Sequence, residues 1–98
     1  MRDVIANLGE SPEGAIIFAE RVNGSFTPES RALLVELSDA ELRLPVALLA
    51  KERAPGTSYF LEVFVATEFL QGWRGSLGRE PSLSETCARL IQYAEKDA

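Results

Sequence analysis

The sequence predicts an α+β domain. Its expected form is a small three-stranded sheet, mixed or antiparallel, with helices packed on it in the order αββαβαα and a closing αα-hairpin. Three observations predict this. Residues 81–98, PSLSETCARLIQYAEKDA, join a helix-start signal to apolar residues at helical spacing. Three short runs, AIIFAERV, RALLVEL and TSYFLEVF, have the apolar, β-branched and aromatic content of strands and lie between turn signals. After the third run the apolar period changes from that of a strand to that of a helix.

In chain order, residues 1–9 read as a short helix with Val4, Ile5 and Leu8 on one face and Gly9 at its end. ESPEG, 10–14, is a turn. The first strand, 15–22, opens with a continuous apolar run, which predicts cover on both faces. Asn23-Gly24 is a turn dipeptide, because both residues tolerate positive φ. The second strand, 31–37, is expected to pair antiparallel with the first.

Ser38 and Glu41 form a capping-box pattern, but Pro45 would break any helix begun there. A helix is therefore expected over 45–53, with Val46, Leu49 and Ala50 facing inward. Ala54-Pro55-Gly56 stops it. In the third strand, 57–64, simple alternation puts Tyr59, Leu61 and Val63 on one face and Phe60, Glu62 and Phe64 on the other. From Ala66, the residues Phe69, Leu70, Trp73 and Leu77 follow a helical face, although Gly72 and Gly75 cost that helix about 1 kcal/mol each relative to Ala. The last helix starts at a Ser82/Glu85 capping box and carries the stripe Leu83, Cys87, Leu90, Ile91, Ala94, with Glu85 and Arg89 placed to pair. The hairpin interface is expected to hold Trp73, Leu77, Leu83 and Leu90.

Composition narrows the function classes. Ninety-eight residues make one domain, 1–98, and 46% apolar content suffices for a core. A single cysteine rules out an intrachain disulfide and suits a reducing compartment. Apolar runs shorter than a membrane span and no charged-then-apolar leader point to a cytoplasmic protein with no membrane partner. A net charge of −5 argues against nucleic acid, whose phosphates are neutralised by Lys and Arg. The same charge suits a basic protein partner, whose approach it would steer, or serves solubility alone.

Chemistry-bearing residues are sparse. With no histidine and one cysteine, structural zinc and Cys-His nucleophiles are excluded, and no calcium or nucleotide loop occurs, so no cofactor is expected. Cys87 lies on the apolar stripe as a buried thiol. The candidate protein-binding residues are Trp73, Arg74, Tyr93 and Phe26. Trp, Tyr and Arg are enriched at interface hot spots. Trp73 also fits the core stripe, and Phe26 in its polar loop NGSFTPES either folds back on the sheet or meets a partner.

The run FLEVFVATEFL followed by PSLSETCARLIQYAEKDA resembles the C-terminal half of a family of small uncharacterised bacterial domains. In that family a strand enters a helix, and the chain closes on a Tyr-containing helix ending Asp-Ala. The residues carrying the likeness are Pro81, Ser82, Leu83, Leu90, Tyr93, Asp97 and Ala98. The aromatic that continues the family's pattern does not follow Ala98 here. The resemblance implies a bacterial origin and marks Asp97 as a fifth candidate contact residue.

The expectation is a non-enzymatic acidic binding protein, such as an immunity protein or antitoxin occluding a basic toxin. The alternatives are a homo-oligomeric accessory domain, with its interface on the Trp73 helix or an open sheet edge, and a small carboxylate-based hydrolase.

Overall fold

A computed structural model describes residues 1–96. The elements are α1 (Arg2–Ala6), a 3-10 turn (Leu8–Glu10), β1 (Ile16–Ala19), β2 (Ala32–Val35), a 3-10 turn (Glu41–Arg43), α2 (Val46–Arg53), β3 (Ser58–Glu62), α3 (Val63–Leu77) and α4 (Leu83–Lys96). The class is α+β and the sheet is antiparallel throughout, in the order β2-β1-β3. No helix among the described residues is long and apolar enough to cross a membrane.

The central strand shows why its sequence is apolar at every position. Ile16 and Phe18 pack on one face with Val35, Leu49, Ala50 and Ala54, so α2 covers that side. Ile17 and Ala19 point the other way, into a larger core with Phe60, Leu61, Ala66, Leu70, Cys87, Leu90 and Ile91, so α1, α3 and α4 cover the second side. Both faces are dry, as the continuous run required. Each buried Ile, Leu, Val or Phe among them contributes about 1.5–3 kcal/mol by leaving water.

The third strand departs from simple alternation. Ile17 pairs with Leu61 but Phe18 pairs with Tyr59, so Phe60 is the extra residue of a β-bulge. The bulge turns Phe60 and Leu61 to the same side, where both are buried, and leaves Tyr59 on the α2 side. The strand also stops earlier than its composition implies. The Val63 N–H donates to the Ala15 carbonyl at 2.9 Å as the last rung, and Val63 is already the first residue of α3. Phe64 is therefore a helix residue, and it stands 45% exposed.

The N-terminal helix is shorter than its pattern suggests. Asn7 breaks it: its side-chain amide donates to the Asp3 carbonyl at 2.8 Å, while its own carbonyl accepts the Ser11 hydroxyl at 2.8 Å. Gly9 lies inside the following 3-10 turn and ends no helix.

Both capping boxes form. Ser82 Oγ accepts from the Glu85 N–H and Glu85 returns to the Ser82 N–H, each at 3.1 Å. Ser38 and Glu41 do the same at 3.3 and 3.1 Å, and Pro45 limits the result to a single 3-10 turn. The expected Glu85–Arg89 pair does not form. Glu85 is held by Arg79 at 2.6 Å, and Arg89 instead lies over the Phe69 ring. Val46, expected inward, is 41% exposed, whereas Leu49 and Ala50 are buried.

The αα-hairpin of α3 and α4 turns at Gly78, whose φ of 71° gives a left-handed helix end that favours glycine. Its interface differs in detail from expectation. Leu90 is fully buried and Trp73 and Leu77 are half-buried, but Leu83, on the first turn of α4, is 41% exposed. Beyond α3, the stripe of α4 also packs against α1.

Candidate functional site

Of the five candidate contact residues, the structure buries one and half-buries two. Phe26 is 5% exposed: it meets Phe60 edge-to-face at 4.9 Å between centroids, with the Arg21 guanidinium 4.3 Å above its ring. Its backbone N–H donates to the Glu95 carboxylate at 2.9 Å. Of the two arrangements open to this loop, the structure shows the one that folds the aromatic back onto the sheet. Tyr93 stacks on Phe69 at 4.1 Å, joining α4 to α3, and Trp73 rests half-buried on the same core. Arg74 is exposed. Asp97 lies outside the described residues.

The surface offers something else. Between the 13–14 turn and the N-terminal half of α3 lies an open groove of about 450 Å³, lined by Glu13, Gly14, Phe64, Thr67, Glu68 and Gln71. The early start of α3 creates it. Because the helix begins at Val63, Phe64 falls off the buried Val63, Ala66 and Leu70 face and projects outward beside Glu68 one turn on. The Ala15 rung brings the preceding turn, with Glu13 and Gly14, alongside. A smaller cleft of about 170 Å³ adjoins it through Thr67 and Gln71 and ends at Arg74.

Charge in the groove is uncompensated. The ion pairs among the described residues are Arg2–Glu29, Arg31–Glu20, Arg53–Glu41 and Arg79–Glu85, and neither Glu13 nor Glu68 takes part. An exposed aromatic ring framed by free carboxylates is the chemistry that receives a Lys or Arg side chain, through the ring face and a charge-assisted hydrogen bond.

The titratable groups with shifted pKa lie elsewhere in the fold. Hydrogen bonds from Arg79 and from the Ser82 backbone hold the Glu85 carboxyl down to about 2. Arg53 and Ser38 lower Glu41, and Arg2 lowers Glu29. Burial pushes the Cys87 thiol up and, with the Glu62 charge, raises Tyr59. No three metal-binding side chains come together among the described residues.

Phe64, Glu13 and Glu68 escaped sequence reasoning because 57–64 read as one alternating strand. The available signal was Val63: it extends the helical stripe of Ala66 and Leu70 backward and leaves Phe64 on the opposite face. No protein family, curated protein or solved structure matches this chain.

Proposed function

We propose that this chain is a non-enzymatic protein-binding domain that occludes a basic protein partner, in the manner of an immunity protein or antitoxin. The observation carrying this reading is the groove lined by exposed Phe64 together with Glu13 and Glu68, neither of which joins an ion pair among the described residues. An apolar anchor in a charged frame gives residence time and steering together. The net charge of −5 adds long-range attraction for a cationic surface.

The same two carboxylates bear on the hydrolase alternative. Acid–base work by a carboxylate pair relies on surroundings that push the two pKa values apart, by burial of one group or by close approach of both. Here both side chains are exposed on an open wall, which favours recognition.

The test is capture by the immobilised chain from a bacterial lysate, eluted by a salt gradient and compared with a Glu13→Gln/Glu68→Gln variant. The reading expects one stoichiometric basic protein, released as salt rises and lost from the variant. Equal capture by both forms would remove the groove from the account.

A further inference from the structure

The outward face of α3 changes character along its length. Its first half presents Phe64 and Glu68, with Glu13 beside them. Its second half presents Gly72 and Gly75, with Arg74 on the flank. Nothing among the described residues explains those two glycines. Both have ordinary helical φ, and a Cβ added at either would meet no atom within 4 Å. Each nonetheless weakens the helix. A bare stretch of helix backbone facing solvent is what a second, closely approaching element would use.

We propose that in the free protein this face is occupied by a second copy of the chain, with two α3 helices packed antiparallel about a twofold axis. Charge selects the copy as occupant. The acidic half of α3 needs a cationic partner, and the other half of the same helix carries Arg74, an exposed cation in none of the ion pairs found among the described residues. Antiparallel packing sets Glu13 and Glu68 of each copy alongside Arg74 of the other. It also seats each Phe64 against the bare backbone at Gly75 of the partner, since a twofold axis near the middle of α3 relates those two positions. The contact is isologous: one patch meets itself. One helix face is smaller than a standard interface, so the dimer is weak and concentration-dependent. The proposal shares the groove with the function proposed above but does not need the basic partner to exist. Where that partner exists, it competes with the copy.

Sedimentation equilibrium tests this. Over about two decades of concentration, the mean mass should rise from 10.7 kDa toward twice that value. Glu68→Arg and Arg74→Glu should each raise the dissociation constant at least about tenfold, by setting like charges together. Mixed in equal amounts, these two variants should associate again, because each supplies the charge the other lacks. Gly75→Leu should keep or raise the melting temperature yet abolish association. A mass fixed at 10.7 kDa, variants that fail to rescue one another, or a Gly75→Leu chain that still dimerises would each overturn the proposal. A chain that captures a basic protein while remaining monomeric would overturn it and leave the proposed function standing. A chain that dimerises as described and captures nothing would do the reverse.

Discussion

Phe60 and Phe64 lie four residues apart in one aromatic run, and the fold predicts opposite consequences for their removal. Phe60 is 2% exposed, sits at the bulge and makes the edge contact with Phe26. Truncating a buried Phe to Ala costs about 3–5 kcal/mol, the lost aromatic pair included. Phe64 is 45% exposed on a helix, so Phe64→Ala loses part of its burial but gains helix propensity, a net change within about 1 kcal/mol. A domain of this size has about 5–15 kcal/mol of stability, so Phe60→Ala removes a large share of it. Urea unfolding followed by Trp73 fluorescence should show a midpoint lowered by about 2 M or more for Phe60→Ala, with slope unchanged, and little shift for Phe64→Ala. Uninterrupted alternation would put both rings on one face and make the costs similar. Comparable losses in the two variants would refute both the bulge and the early start of α3.

Ser82→Ala breaks the cap of α4 and should cost about 1 kcal/mol, seen as a melting temperature lowered by roughly 4–8 °C in calorimetry. The Glu85 carboxyl is depressed to about 2 in the folded chain, so its contribution is complete above the usual carboxylate range and fades as pH falls toward 2. Glu41 and Glu29 shift in the same direction, so stability should fall with acidification below about pH 4.5, and Arg79→Gln should flatten part of that fall, as read from urea midpoints against pH. Cys87 is buried with its thiol raised, so a thiol reagent should modify it only as fast as the chain opens, and instantly in denaturant; rapid labelling of the native protein would contradict its place in the core.

Much of the fold was legible because local signals and tertiary packing agreed. The 82–85 capping box, the α4 stripe from Cys87 through Ile91, the Asn23-Gly24 turn and the doubly covered β1 run each specify one structure and meet no competing demand. Legibility failed where a long-range contact overrode a local pattern. The register of β3 is set by β1, and the bulge at Phe60 has no local sequence mark. The start of α3 is set by the Val63–Ala15 rung, which no reading of 57–64 alone could contain. The candidate site followed the same logic. Residue types common at interfaces pointed to Trp73, Tyr93 and Phe26; Phe26 is buried, and Trp73 and Tyr93 are half-buried against the core and the helix hairpin. The exposed ring is Phe64, placed outward by the start of α3 at Val63.

The proposed docking surface is the outward face of α3 with the adjoining 13–14 turn. Hydrogen–deuterium exchange on the chain, free at low concentration and then bound to its captured partner, tests this most directly. Added protection is expected over residues 12–14 and the exposed half of 63–77, with α2 and the β2 edge unchanged. Protection confined to α2 or β2, with α3 exchanging as in the free chain, would contradict it.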